Sequence, residues 1–204
     1  MAALHLAGEP EADRLLAEDP FSLLVGMLLD QQIRMETAFA GPRKLLDRLP
    51  GSPDRLDPTS LAGMDPDELA AAMAGPPAVH RYHGSMGTRL RELATAVRDE
   101  HDGDAAAVWE QAADGADLLR RLKALPGFGE QKAKIFVALL GKQMGVRPDG
   151  WREAAGEYGE EGVHRSAADV VDEATLVKVR DFKQARKAAA KAGTEATTGA
   201  ASRS

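Results

Sequence analysis

The segment that decides the fold is Leu122–Val146, with the sequence LKALPGFGEQKAKIFVALLGKQMGV. Two runs with apolar residues at helical spacing flank a Pro-Gly-Phe-Gly turn, which predicts two helices joined tightly. Gly127 and Gly129 permit positive φ angles and leave backbone amides uncovered. Because the second helix begins directly after the turn, its free N–H groups and the positive end of its dipole lie beside the uncovered amides of the turn. The turn can therefore hold one phosphate group. The alternative is a plain helical hairpin, in which the glycines only allow the turn to be tight.

The composition favours helices and excludes several kinds of site. The chain has 204 residues, of which 44% are hydrophobic, 28% charged and only 4% aromatic. Abundant alanine, leucine and charged residues predict an all-α fold. Cysteine is absent, which excludes disulfides, a thiolate-bound zinc, an iron–sulfur cluster and a thiol nucleophile. Small polar residues near the end predict a disordered tail over 192–204.

We expect neither a membrane span nor a secretory signal. The longest apolar stretches, such as Phe21–Leu29, are far too short to cross a bilayer. Met1–Pro10 lacks the basic region and the apolar run of a signal peptide. The sequence therefore predicts a soluble, cytoplasmic protein, associated with the nucleoid if its source is bacterial.

The charges are distributed unevenly along the chain. The formal net charge is −6, yet Leu118–Arg152 has eight basic and two acidic residues, and Leu176–Lys191 has six basic and one acidic. An acidic protein with two basic segments can still bind a polyanion, because the local field matters more than the net charge. Solvated basic helix faces are the alternative interpretation.

Several segments together resemble a known family. Leu125–Gly129, followed by Lys-Ala and an apolar helix, resembles the helix–hairpin–helix of the HhH-GPD superfamily of DNA glycosylases, which includes endonuclease III and the adenine-mismatch glycosylase. Met27–Gln32 is similar to the helical segment from which those enzymes place a glutamine into the gap left by a flipped base. Ala78–Arg89 resembles their loop into a long helix, and His101–Asp104 resembles the turn that follows. The resemblance covers roughly Asp19–Arg152.

The resemblance implies an all-α fold of two lobes with duplex DNA between them. The central lobe would comprise residues 19–144 and end in the helix–hairpin–helix at 118–144, and the second lobe would combine 1–18 with 145–191. It also implies a protein that acts on a damaged or mispaired base, and we expect the protein to be a monomer. The residues expected to contact the DNA backbone are Gly127, Phe128, Gly129, Gln131, Lys132 and Lys134.

The family has a catalytic aspartate at a fixed distance after the hairpin, and Asp149, 22 residues after Gly127, matches that interval. Cleavage of an N-glycosidic bond builds positive charge on the deoxyribose, which a nearby carboxylate stabilises while it directs water. Pro148-Asp149-Gly150 is also a strong turn signal, so a turn residue is the alternative.

Two departures from the family pattern change the expected chemistry. The chain has no cysteine, so it lacks the C-terminal four-cysteine iron–sulfur loop that many members have, and a lysine of the hairpin is missing. Members that also cut the strand have a lysine at the position of Gln131, where it forms a Schiff base with the sugar. Lys132 follows one residue later, about 100° around the helix. The resemblance therefore implies a glycosylase without lyase activity. It implies no cofactor beyond an alkali cation on the hairpin carbonyls, and no metal bound by side chains.

Five further residues are candidates for the base-flipping or lesion site. Gln31 and Gln32 could pair with the orphaned base, or be solvent-facing glutamines. Tyr82 could stack on an extruded base, with Arg81 on a phosphate, or the loop could simply pack on the core. Trp151, next to Asp149, could line the lesion pocket.

Two other functions fit the sequence less fully. A non-catalytic protein that binds bent or damaged DNA would use the same hairpin without the aspartate. A helical interaction protein without a DNA role agrees with the acidic pI of about 5.4.

Overall fold

The computed structural model describes residues 4–51 and 53–201, with side chains up to residue 190. Every regular element in these ranges is helical, so the predicted all-α fold is confirmed. The α-helices are α1 Pro10–Glu18, α2 Pro20–Leu29, α3 Met35–Phe39, α4 Gly41–Leu46, α5 Pro58–Gly63, α6 Pro66–Ala74, α7 His83–Glu100, α8 Ala107–Glu110, α9 Gly115–Ala124, α10 Glu130–Leu139, α11 Trp151–Ala155 and α12 Glu173–Ala201. Leu140–Met144 forms a π-helical turn, and Gly156–Tyr158 and Ala167–Asp169 are 3-10 turns.

Aspartates fix the points at which several helices begin. The side chains of Asp19, Asp57, Asp65 and Asp114 accept hydrogen bonds from the first amides of α2, α5, α6 and α9. Three of these aspartates precede a proline, whose fixed φ suits the first helical position and whose missing N–H needs no partner there. Local sequence therefore determines these boundaries.

The helices pack around α2, in which every residue from Phe21 to Leu29 is buried. α1 packs against α2, α3 and α4, whereas α5 and α6 pack against α7. α10 contacts α9, α11 and the 3-10 turn Ala167–Asp169. The buried apolar side chains form one continuous cluster. None of the described helices is both long enough and apolar enough to cross a membrane.

Two segments differ from the sequence prediction. The helix predicted through Met144 changes to π geometry at Leu140, where Arg147 Nε donates a 2.8 Å hydrogen bond to the Gly141 carbonyl. A side chain inserted into the backbone ladder widens a helical turn. The backbone of α12 is helical through Ala201, although we expected disorder from residue 192. Its preceding run of lysine and alanine has high helix propensity, which favours propagation; residues 202–204 lie outside the described residues.

Candidate nucleic-acid interface

The Leu125–Gly129 turn joins α9 to α10 and rests on α2. Gly127 has φ +81°, and a Cβ there would lie 2.4 Å from Cδ1 of Leu28. The Phe128 amide donates to the Leu125 carbonyl at 3.1 Å and closes the turn. Gly127 is thus required both for its backbone angle and for the close approach of Leu28.

The first turn of α10 has free backbone donors. Gly129 is its N-cap and provides no side-chain hydrogen bond. Within the described residues, the amides of residues 129–132 have no acceptor, and the first amide engaged is that of Ala133, which donates to the Gly129 carbonyl. A Cβ at Gly129 would meet nothing within 4 Å, so the approach is open. This arrangement can accept an anion.

The ring of Phe128 packs inward, so the expected contact of this residue with DNA can involve only its backbone. The side chain is buried and meets the ring of Phe136 edge-on, with 5.9 Å between centroids. Phe136 in turn contacts Trp109 at 5.9 Å. Burial of this apolar ring is favourable in free energy, so Phe128 fixes the turn to the core.

Lys132 is also directed inward, which corrects its expected role as a phosphate contact. Its Nζ donates to the carbonyls of Met27 at 2.6 Å and Leu28 at 2.9 Å. These carbonyls belong to the last turn of α2, where acceptors have no helical partner and the dipole is negative. Lys132 therefore caps α2 and joins it to α10.

Burial gives Lys132 a distinct pH dependence. Desolvation lowers the pKa of Lys132 to about 8 from its ordinary 10.5, so between these values the unfolded chain binds more protons and stability rises with pH. From pH 7 to 9.5 we expect the wild type to gain about 2 kcal/mol relative to Lys132→Met. Urea unfolding of both proteins at each pH measures this difference, and parallel pH profiles would contradict it.

Lys134 lies half-buried beside the free amides. Its Nζ pairs with Oε1 of Glu130 at 2.8 Å, and Lys123 approaches Oε2 of Glu130 at 3.3 Å. The two ammonium groups lower the pKa of Glu130. They also offset its negative charge at the helix N-terminus, where that charge would otherwise repel a phosphate.

His80 joins the end of α2 to the loop before α7. Its Nδ1 accepts the Tyr82 amide at 3.0 Å, so its Nε2 donates to the Gln31 carbonyl at 2.9 Å. Burial lowers the pKa of His80 and favours this neutral form. The Gln31 amide donates to the Leu28 carbonyl and accepts from Arg89, each within 2.8 Å. Gln31 is therefore occupied within the fold, contrary to its expected pairing with an orphaned base.

Three of the predicted residues remain exposed near this junction. Gln32 follows α2 instead of lying in a helix, has φ +56° and projects into solvent. Tyr82 is 42% exposed, and the guanidinium of Arg81 lies 4.7 Å from its ring centroid. The hydrogen bonds of His80 hold the loop of Tyr82 and the segment of Gln32 together.

Asp149 lies on an exposed turn. The Trp151 amide donates to the Pro148 carbonyl at 3.1 Å, and Gly150 has φ +73°. The Asp149 carbonyl accepts the Gly115 amide at 2.7 Å, so its backbone fixes the start of α9. These contacts agree with the turn signal in the sequence, while a catalytic role for its carboxylate stays a prediction.

Trp151 is largely buried, yet it lines a cavity of about 320 Å³ together with Arg147 and Arg152, so its expected place in a lesion pocket stays a prediction. Its ring lies where a Cβ on Gly141 would fall, 2.3 Å from Cε3. The Arg152 guanidinium covers the ring at 4.5 Å from its centroid. The indole thus packs α11 against the end of α10.

A cavity of about 340 Å³ lies beside α10, and no pattern in the sequence predicts it. Its walls include Gln131, Tyr158, Phe182 and Arg186. Gln131 Nε2 donates to the Tyr158 hydroxyl at 2.9 Å, and Arg186 NH1 does so at 3.4 Å. The basic segment of α12 was visible in the sequence, but its position against α10 depends on contacts between distant residues.

No protein-family model matches the chain, and no curated protein or solved structure matches it.

Proposed function

We propose that this chain binds duplex DNA through the Leu125–Gly129 turn and excises a damaged or mispaired base as a monofunctional DNA glycosylase. The observation that carries the proposal is the open N-terminus of α10, with unpartnered amides among the described residues directly after Gly129. Backbone amides hold a phosphate without reading sequence, which suits an enzyme that must scan any duplex.

The surrounding residues support hydrolysis without strand cleavage. Gln131, at the position of the family's lysine, has no amine with which to form a Schiff base, and Lys132 directs its amine to the carbonyls of α2. Tyr82 and Arg81 are exposed, which agrees with the roles expected for them, stacking on an extruded base and contact with a phosphate. Within the described residues the carbonyls of residues 126–128 accept no hydrogen bond, so they could hold the alkali cation that the resemblance implies.

A panel of labelled duplexes containing uracil, alkylated purines, oxidised bases or mismatches tests the proposal. Samples are read with and without alkali, which breaks the strand at abasic sites. We expect cleavage only after alkali. Cleavage without alkali would contradict the monofunctional assignment, and affinity insensitive to salt would contradict DNA binding, because phosphate contacts release counterions.

The exposed position of Asp149 favours a second candidate, a protein that binds bent or damaged DNA without cleaving it. The backbone carbonyl of Asp149 accepts a hydrogen bond from the Gly115 amide at the start of α9, which is a structural role. Retained, salt-dependent binding without base release from any duplex would support this candidate.

A further inference from the structure

One face of α12 carries a row of basic residues. Each residue turns an α-helix by about 100°, so Arg180, Lys183 and Lys187 fall within about 60° of one another around the helix axis. We call these three residues the basic row. The sequence continues the same spacing at Lys191. The positive charges of α12 are therefore concentrated along one side of the helix instead of being spread evenly around it.

The first two residues of the basic row are paired with acidic residues of neighbouring helices. Arg180 forms an ion pair with Glu36 of α3, and Nζ of Lys183 lies 3.5 Å from Oδ2 of Asp30 at the end of α2. The turn before α10 rests on the same end of α2, through the contact of Leu28 with the turn. These ion pairs therefore direct the basic row toward the candidate interface.

Lys187, the third residue of the row, lies beside the free amides of α10 and has no acidic partner. It is exposed and lines the cavity of about 340 Å³ together with Gln131, which belongs to the first turn of α10. The other cations of this cavity, Arg165, Lys183 and Arg186, each pair with a carboxylate. Within the part of the chain that the structure describes, no carboxylate pairs with Lys187. Its charge is therefore available to an anion from outside the chain.

The part of α12 that contains Lys187 does not pack on the rest of the protein. Each described side chain from residue 183 to residue 190 is exposed, yet the backbone stays helical through Ala201. Most helices in proteins are stabilised by the burial of an apolar face, and this part of α12 buries none among the described residues. A partner along this part would supply the missing contacts, and the positive charge favours an anionic one.

We propose that Lys187 and the helix face that continues the basic row form a second DNA contact, on the same duplex that the turn binds. The inference rests on the proposed function. Because Lys187 and Gln131 line one small cavity, a duplex bound at the free amides of α10 lies within reach of the long Lys187 side chain. The ammonium group binds a phosphate as a point charge and reads no sequence. Arg180 and Lys183, which pair with Glu36 and Asp30, hold α12 in place.

Fluorescence anisotropy with a labelled duplex, measured over a series of salt concentrations, tests the proposal on the full-length chain. We expect Lys187→Gln to weaken binding about three- to tenfold for every duplex sequence, and to lower the slope of log affinity against log salt concentration by about 0.9, the value of one phosphate contact. Lys187→Glu should weaken binding further, because its carboxylate repels the phosphate. Lys187→Arg should retain the affinity and the slope of the wild type.

Lys178→Gln is the matched control, because it removes the same charge from an exposed lysine of the same helix. Lys178 precedes Lys187 by nine residues, which places it on the opposite side of α12. We expect Lys178→Gln to leave the affinity and the slope unchanged, and equal losses in both glutamine variants would overturn the inference. If Gly129→Asp weakens binding and Lys187→Gln does not, the inference is wrong and the proposed function stands. A wild type whose affinity for DNA is insensitive to salt would refute both.

Discussion

Gly129→Asp should stabilise the protein and at the same time weaken its binding to DNA about ten- to a hundredfold. Gly129 has φ −69° and ψ 170°, the extended conformation of an N-cap, and space beyond its Cα is open. An aspartate there can accept the free amides of α10 and add a favourable charge at the dipole's positive end. The same carboxylate occupies the position proposed for the phosphate and repels it.

Fluorescence anisotropy with a labelled duplex measures the affinity, and thermal unfolding measures the stability. Gly129→Ala is the control, because it fills the same space without a carboxylate and leaves the amides free. The slope of log affinity against log salt concentration should also decrease, by about the value of one phosphate contact, in Gly129→Asp but not in Gly129→Ala. If Gly129→Asp binds DNA as tightly as the wild type does, the α10 N-terminus is not the phosphate site.

Local signals in the sequence account for where several helices begin. The aspartate–proline pairs at 57–58 and 65–66 are typical helix starts, and α5 and α6 begin at these prolines. Apolar spacing predicted α9 and α10, because the residues that bury each helix face lie within a few turns of one another. What the sequence left open was the direction of individual side chains at the junctions between helices.

Lys132 illustrates that limit. Its position one residue after Gln131 predicted that it faces elsewhere than Gln131, but its acceptors on Leu28 and Met27 are 104 and 105 residues away. Only the packing of α10 against α2 brings them together. The ion pair of Asp30 with Lys183 has the same origin: the basic segment was apparent, whereas its acidic partner could not be identified without the fold.

The aromatic contacts beneath the Leu125–Gly129 turn predict the second large effect. Phe136→Ala should lower the free energy of unfolding by about 3–5 kcal/mol, because Phe136 is fully buried and its removal leaves a cavity between Phe128 and Trp109. Urea unfolding measures the loss. Phe182→Ala, on the half-buried face of α12, should cost less than half as much.

A double-mutant cycle separates this packing from simple burial. Phe128→Leu and Phe136→Leu should couple by about 0.5–1.5 kcal/mol, since edge-on rings interact beyond the area they bury. Phe128→Leu should also weaken duplex binding, because the ring holds the turn that presents the α10 amides. Phe21→Leu, at a buried phenylalanine in α2, should lower stability and leave the affinity of the folded protein unchanged. If Phe128→Leu and Phe21→Leu weaken duplex binding equally, the affinity follows global stability. The aromatic contacts then do not act on binding by holding the geometry of the turn.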